Sequence, residues 1–207
     1  MEDSNAFVIG GTGFLGRHTI AEFLDHGYEV TTLSRGSHDF QFPDRMDVDH
    51  IIGDRNADET LADAARRVEP DVVIDCAAYH PAAARTVPEV FSDVNAYIYV
   101  SSGGVYSRQD LPKREDETPL HDCTPDQAED TSMKTYGPRK AECDRLVRAA
   151  ADDGVAAMSV RPTMIYGPQT VPADDAGRAA AESPWTDKIP ATWADDDFPG
   201  LAAHHDY

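Results

Sequence analysis

The sequence is poor in cysteine and in long apolar runs. Its 207 residues include three cysteines, Cys76, Cys123 and Cys143, which are too few and too scattered for a disulfide framework or a CxxC site. No run approaches the ~20 apolar residues that a membrane-spanning helix needs. The first residues are acidic, whereas a secretory signal begins with basic residues. These absences lead us to expect a soluble, cytoplasmic protein that does not bind a membrane.

Basic residues are also scarce. The chain carries 38 acidic and 18 basic side chains, for a formal net charge of −20; 27 of the acids are Asp and only four of the bases are Lys. Such a charge repels nucleic acid and anionic lipid, because affinity for both depends on Lys and Arg. The acids are spread along the chain, which is typical either of an ordinary solvated surface or of a surface adapted to high salt. The Asp-rich, Lys-poor balance is similar to that of salt-adapted archaeal proteins.

Two kinds of apolar segment alternate along residues 1–168. Short apolar or β-branched runs predict strands, and apolar residues at helical spacing predict helices between them. The predicted strands are 6–9, 29–34, 50–54, 71–78, 96–102 and 155–162, and the predicted helices lie at 15–26, 61–68 and 143–150. This alternation predicts an α/β fold, a doubly wound parallel sheet with helices on both faces. Residues 169–207 are rich in Ala, Asp and Pro, show no periodicity, and are expected to form a separate region.

A glycine-rich turn stands between the first predicted strand and the first predicted helix. Glycines at 10, 13 and 16 give the spacing GxxGxxG. In a dinucleotide turn, such glycines permit the bend, the approach of backbone N–H groups to a pyrophosphate, and close packing of helix on strand. A glycine triplet alone is a weak signal, but here a strand precedes it and an amphipathic helix follows. The candidate cofactor-binding residues of this turn are Gly10, Gly13, Phe14, Leu15 and Gly16.

The residues after the second predicted strand bear on the choice of nucleotide. NAD-binding domains usually place an Asp or Glu there, which accepts a hydrogen bond from the ribose 2′-hydroxyl. This sequence has Ser34, Arg35 and Gly36. A guanidinium can hold a 2′-phosphate in a two-pronged contact, which favours NADP. Alternatively, Arg35 only covers the adenine face, as it could with either cofactor.

Three polar residues form a candidate catalytic group. Tyr136 and Lys140 are four residues apart, so a helix places them on one face, and a nearby ammonium lowers the pKa of a tyrosine toward the working range. Pro138 is tolerated if Thr135 caps this helix, because N–H groups of the first turn lack partners. The fifth predicted strand ends in Ser101 and Ser102, at the sheet edge where open α/β folds bind ligands.

Taken in order, these motifs resemble one family, the extended short-chain dehydrogenases/reductases, and within it the NAD-dependent epimerase/dehydratase group. The resemblance covers residues 6–168. The motifs that carry it are GGTGFLG (10–16), GDR (53–55), DCAA (75–78), SSGGVY (101–106), YGPRK (136–140) and RPTMIYGP (161–168). It implies a Rossmann fold that binds NAD(P).

The resemblance also implies roles for individual residues. Ser102 matches the catalytic serine better than Ser101 does, Tyr136 matches the general acid/base, and Lys140 matches the lysine that holds the nicotinamide ribose and tunes the tyrosine. Asp54 would contact the adenine amine, and Arg55 of the same motif is a further cofactor-binding candidate. The segment expected to line the path to the ribose and nicotinamide is Cys76, Ala77 and Ala78.

The implied activity is hydride transfer at a secondary alcohol carbon, expected to be that of a nucleotide sugar, with epimerisation or elimination. Two alternatives remain: an NADP-dependent reductase of a small carbonyl compound, and a non-catalytic nucleotide-binding or sensor protein. Relatives often dimerise through the helix that carries Tyr and Lys, here 136–152. They also run on for a hundred residues or more, so residues 169–207 resemble the start of an incomplete substrate-binding region and the chain resembles a truncated member.

Three sets of residues are not assigned a functional role. Asn95 lies too near the fifth predicted strand to be assigned the role of the helix-borne asparagine of many relatives. His204, His205 and Asp206 are adjacent in sequence, so their ligating one metal ion is not expected. His121 and Cys123 have no partner at a ligating spacing. We therefore predict no metal site.

Overall fold

The computed structural model describes residues 4–36, 42, 47–108 and 111–165. The expectations for residues 166–207, including the separate region and the residues 204–206, lie outside the described residues. Within the described ranges, no helix combines the length and the apolar character that crossing a membrane requires.

The described residues form one six-stranded parallel sheet. Its strands are β1 (Asn5–Ile9), β2 (Glu29–Ser34), β3 (Val48–Ile52), β4 (Val72–Asp75), β5 (Ala96–Val100) and β6 (Ala157–Val160). The order across the sheet is β3-β2-β1-β4-β5-β6, and every pair is parallel. The strand order reverses between β1 and β4, which is the position where doubly wound folds bind ligands.

Helices connect the strands. They are α1 (Phe14–Asp25), α2 (Asp58–Val68), α3 (Pro81–Arg85), α4 (Val87–Val90), α5 (Pro125–Glu129) and α6 (Tyr136–Asp152). A Cβ atom built on Gly11 would contact both Ile20 of α1 and Thr32 of β2, so α1 covers the Thr32 face. The neighbouring Leu33 points the other way and packs in one core cluster with Leu61 of α2 and Val147 of α6. Helices therefore cover both faces, and the predicted Rossmann fold is confirmed.

The core on the α6 side of the sheet is partly aromatic. The ring of Phe91 lies 6.2 Å from that of Phe7 and 6.0 Å from that of Tyr97. Tyr97 and Tyr99 are two residues apart on β5, so both point to this face, and both are fully buried. Their hydroxyls donate to Asp75 and to the Ala78 carbonyl, which anchors the loop after β4 to the core.

Several predicted boundaries were wrong. The fourth strand was predicted to end at residue 78 but ends at Asp75, because the Asp75 carboxylate accepts hydrogen bonds from the N–H groups of Ala77 and Ala78 and turns the chain. The third strand lies two residues earlier than predicted. The short helices α3 and α4 occupy a segment in which the sequence indicated no element, and His80 and Pro81 begin α3 in the N-cap and N1 positions.

Candidate active site

The glycine turn joins β1 to α1 in a conformation that requires glycine at two positions. Gly10 has φ +86°, a left-handed conformation, and its N–H donates to the Leu33 carbonyl at 2.8 Å. A Cβ atom on Gly16 would lie 2.5 Å from the Gly10 carbonyl oxygen and 2.5 Å from the Gly11 Cα. The first turn of α1 therefore packs directly on the bend.

The N-terminus of α1 fits a phosphate-bearing ligand. Its N-cap, Gly13, has no capping side chain, and the first turn contains no acidic residue. Because the first N–H groups of a helix have no intrahelical acceptor, those of Phe14, Leu15 and Gly16 are available to an anion. Gly13 is exposed, and a Cβ atom there would meet one atom within 4 Å, the Gly10 carbonyl oxygen. The turn thus provides the open, electropositive backbone that a dinucleotide requires.

Among the cofactor-binding candidates at the ends of β2 and β3, some side chains are exposed and one is buried. Arg35 and Asp54 are exposed, and the Asp54 Oδ1 accepts from the backbone N–H of Asn56. The Ser34 hydroxyl is 2.8 Å from His50 Nε2. Arg55, in contrast, is buried and pairs with Asp75 while donating to the Ala83 carbonyl.

The loop after β4 lies against the glycine turn. A Cβ atom on Gly10 would lie 3.1 Å from the Ala77 Cβ and 3.5 Å from the Cys76 Cβ. Burial raises the pKa of the Cys76 thiol to about 12, and the adjacent Asp75 carboxylate adds to the effect. The Cys76 thiol is therefore neutral at neutral pH. The structure brings together the predicted segments 10–16 and 76–78.

Lys140 points from α6 into the sheet edge. Its ammonium donates to the carbonyls of Ala78 at 3.0 Å and Val100 at 2.7 Å, so it bridges the loop after β4 and the end of β5. The side chain is almost fully buried, and burial lowers the pKa of Lys140 to about 8. Its ammonium lies 4.3 Å from the centre of the Tyr99 ring and 5.3 Å from that of Tyr79.

The side chains of Ser102 and Tyr136 both lie next to Gly104. Ser102 begins the short 3₁₀ turn Gly103–Val105, and its hydroxyl accepts from the Gly104 N–H at 3.1 Å. A Cβ atom built on Gly104 would lie 3.4 Å from the Ser102 Oγ and 3.9 Å from the Tyr136 Cε1. Tyr136 is the first residue of α6, and Pro138 falls in the first turn as predicted. Thr135 is in the N-cap position, but its side chain makes no capping hydrogen bond. The structure therefore brings Ser102, Tyr136 and Lys140 to one edge of the sheet.

Buried polar residues that the sequence analysis did not select hold this edge in place. The Arg139 guanidinium is bonded to the Ser132 carbonyl at 2.9 Å and the Tyr79 carbonyl at 3.3 Å. Asp144 accepts from Arg161 Nε at 2.6 Å and from the Ser101 hydroxyl at 3.2 Å. Asp144 follows Lys140 by one helical turn, so a search for polar residues at i+4 would have found it. The described residues contain no cluster of three potential metal ligands.

A comparison with family models supports the motif-based interpretation. The model of the NAD dependent epimerase/dehydratase family matches residues 6–182. The chain is 28% identical over 177 residues to the chloroplast stem-loop binding protein of 41 kDa b of Arabidopsis thaliana, covering 80% of this chain and 43% of the relative. It is 26% identical over 189 residues to the decarboxylating sterol-4-alpha-carboxylate 3-dehydrogenase ERG26 of Saccharomyces cerevisiae, covering 79% and 52%.

Solved structures share the fold. The Bordetella bronchiseptica enzyme WbmG, in complex with NAD, superimposes with a TM-score of 0.66 at 19% identity, covering 81% of this chain and 55% of that one. UDP-glucose 4-epimerase of Thermotoga maritima, with UDP-glucose, gives 0.61 at 19% identity, covering 83% and 59%. The chain thus spans about half the length of the relatives and structures it matches.

Proposed function

The chain belongs to the NAD-dependent epimerase/dehydratase family, and from that premise we propose that it oxidises a secondary alcohol carbon of a nucleotide sugar with bound NAD(P). The observation that carries the proposal is the convergence of Ser102, Tyr136 and Lys140 on one edge of the sheet. The glycine turn opens on the same edge, since the loop 76–78 touches both Gly10 and Lys140. UDP-glucose 4-epimerase, which shares the fold and was solved with UDP-glucose, favours a nucleotide sugar as substrate.

Each of the three residues has a distinct part in the proposed reaction. Tyr136 takes the proton of the substrate hydroxyl, and the Ser102 hydroxyl orients the same oxygen. Lys140 carries a positive charge at neutral pH, because its pKa is about 8, and it lies one helical turn from Tyr136 on the same face of α6. Two of its three N–H groups bond to backbone carbonyls, which leaves the third for the cofactor ribose. The bound cofactor supplies the hydride acceptor.

We further propose that the cofactor is NADP. The exposed Arg35 follows β2, where an acidic residue would serve NAD. Asp54 and the segment 76–78 complete the proposed cofactor contacts. Arg55 is assigned a structural role instead of a cofactor contact, because its guanidinium is buried and pairs with Asp75.

A cofactor titration tests the binding half of the proposal. The chain is unfolded thermally in molar KCl with NADP and, separately, with NAD. A ligand at 100 times its dissociation constant adds about 2.7 kcal/mol to the free energy of unfolding. We expect NADP to raise the unfolding free energy more than NAD does. This difference should disappear in Arg35→Ala and persist in Arg67→Ala, which replaces an exposed arginine on α2. Equal shifts with both cofactors would remove the NADP preference, and no shift would remove the enzyme proposal for this chain.

Replacement of the proposed acid/base tests the catalytic half. The chain with cofactor is incubated with UDP-glucose or dTDP-glucose, and products are followed by NMR and by absorbance at 340 nm. Tyr136→Phe should reduce turnover by about 10²-fold or more, the usual contribution of general acid–base catalysis, while cofactor affinity stays unchanged. Tyr28→Phe, at a tyrosine that packs on Phe23 away from the site, is the matched control. Undiminished turnover in Tyr136→Phe would contradict the assignment.

A reductase is the second candidate, and Arg35 is the residue that favours it. Net consumption of NADPH with a carbonyl compound would identify a reductase, whereas an epimerase or dehydratase returns its cofactor unchanged. The sterol dehydrogenase relatives offer another secondary alcohol to include in the substrate panel. The stem-loop binding relative does not lead us to propose nucleic acid as a partner, because a net charge of −20 opposes binding to phosphates.

We also propose a homodimer through α6. Relatives of the family often associate through the helix that carries the tyrosine and lysine. Sedimentation of the chain in molar KCl tests this proposal, with a monomeric mass of 22.6 kDa as the contradicting outcome.

A further inference from the structure

Tyr79 is a half-exposed aromatic residue beside the proposed catalytic group. It lies in the loop between β4 and α3, and 49% of it is exposed. The backbone on both sides is firmly held, because the Ala78 carbonyl accepts from Lys140 and the Tyr79 carbonyl accepts from Arg139. Within the described part of the chain, no hydrogen bond to the Tyr79 hydroxyl is formed.

The Tyr79 ring faces two of the proposed active-site residues. Its centre lies 6.4 Å from that of the Tyr136 ring, and the planes are inclined at 44°. The Lys140 ammonium lies 5.3 Å from the centre of the Tyr79 ring and 4.3 Å from that of the Tyr99 ring. Tyr99 is fully buried while Tyr79 is half exposed, so Tyr79 is the ring of the two that reaches the solvent.

We propose that Tyr79 is a positioning residue of this site: its ring shields the Lys140 ammonium from bulk water and packs beside the Tyr136 ring. The inference rests on the proposed function, in which Lys140 and Tyr136 act. The ring keeps the ammonium on the carbonyls of Ala78 and Val100, because water that would compete for its N–H groups is excluded. The Tyr79 hydroxyl is not needed for this task.

The electrostatic surroundings of Lys140 fix the direction of the expected effect. Burial is the dominant influence on the pKa of Lys140 and lowers it to about 8, while neighbouring acidic groups act against burial. The acidic groups that face it are Asp75 and Cys76 at the end of β4, Cys143 and Asp144 on α6, and the tyrosines 79 and 99, with Tyr136 beside Tyr79. Removing the Tyr79 ring admits water, which stabilises the charged form and raises the pKa. Loss of the attraction between the ammonium and the Tyr79 ring face would by itself lower the pKa of Lys140. This loss is the smaller effect, because the nearer Tyr99 ring still faces the ammonium.

NMR titration of lysine side chains tests the proposal directly. The chain has only four lysines, at 113, 134, 140 and 188, so [ε-¹³C]lysine labelling gives few signals, and Lys140→Arg assigns the one of interest. In the unmodified chain, Lys140 should titrate near pH 8. We expect Tyr79→Ala to raise this value by at least about one unit, a tenfold change in the proton affinity. Tyr79→Phe, which keeps the ring, should titrate like the unmodified chain.

Controls separate shielding from general damage. Tyr28→Ala removes a partly buried tyrosine away from the site and should leave the Lys140 titration unchanged. Near-ultraviolet circular dichroism verifies the fold of each variant; if Tyr79→Ala does not fold, Tyr79→Val carries the same expectation. A folded ring-free variant that titrates like the unmodified chain overturns the proposal, as does an equal rise in Tyr79→Phe. The titration uses neither cofactor nor substrate, so a chain without turnover leaves it interpretable and contradicts only the proposed function.

Discussion

Gly137 is the residue at which the helix of Tyr136 touches the turn of Ser102. A Cβ atom there would lie 2.6 Å from the Gly104 carbonyl oxygen and 3.2 Å from a carbon of the His121 ring. A carbonyl belongs to the backbone and cannot rotate away as a side chain can. Gly137 therefore sets the distance between the two proposed catalytic side chains.

Gly137→Ala should destabilise the protein, although alanine is the better helix former. Alanine in a helix gains up to about 1 kcal/mol over glycine, whereas forcing an extra methyl into a packed contact costs about 1–3 kcal/mol. Urea unfolding followed by circular dichroism measures the net sign. The reverse substitution Ala149→Gly, at an exposed position of the same helix, calibrates the propensity contribution. A more stable Gly137→Ala would show that α6 does not approach the Gly104 carbonyl this closely.

The residues that could be predicted from the sequence are those whose partners are near in the chain. Gly10 and Gly16 belong to one turn, and Tyr136 and Lys140 to one helical face, so spacing alone places them. Arg55 was predicted at the cofactor, but its burial depends on Asp75, twenty residues further along. No local pattern encodes that pairing.

At the scale of elements, the end of β4 is organised by a single carboxylate. Asp75 is fully buried and accepts from the N–H groups of Ala77 and Ala78, from the Tyr97 hydroxyl and from Arg55. These contacts tie β4 to its neighbour β5 and to the segment before α2, and they shape the loop whose Ala78 carbonyl holds Lys140. The position of the lysine thus depends on a fully buried carboxylate that is not part of the proposed catalytic group.

Asp75→Asn should cost about 3–5 kcal/mol of unfolding free energy, because it leaves the buried Arg55 charge without its partner. Urea unfolding measures this loss, and Arg55→Met in the Asp75→Asn background should recover part of it by removing the unpaired charge. The matched control is Asp63→Asn. Asp63 pairs with Arg66 on the surface of α2, where ion pairs contribute little. Equal costs for the two substitutions would contradict the proposed role of Asp75.

Helix and strand periodicity predicted the long elements well and the short ones poorly. The helical stripe predicted at 143–150 lies within α6, whose seventeen residues are long enough for a buried stripe to repeat over several turns. The helices α3 and α4 span five and four residues, too few for a periodic pattern to emerge. Their start depends on local signals instead, the extended His80 and the Pro81 that follows it.

At the scale of the whole molecule, the charge is the dominant feature. With 38 acidic and 18 basic side chains, at least twenty carboxylates have no basic side chain to pair with one to one. Several of the basic side chains already form ion pairs with acidic ones, as Arg145 does with Glu142 and Arg148 with Asp116. Mutual repulsion among the remaining acids acts on the compact folded state more strongly than on the expanded unfolded chain.

Salt should therefore stabilise this protein, and the dependence of stability on salt concentration should show that screening of charge repulsion is the cause. The Debye length falls from about 10 Å at 0.1 M to about 3 Å at 1 M, which is shorter than most separations between surface charges. We expect the urea midpoint to rise steeply with KCl up to about 1 M and then to level off, because little repulsion remains to be screened. Sucrose, which stabilises proteins by exclusion from their surface, should give no such plateau. A midpoint that is flat or falls with KCl would contradict a salt-adapted surface and leave the Asp-rich composition as ordinary solvation.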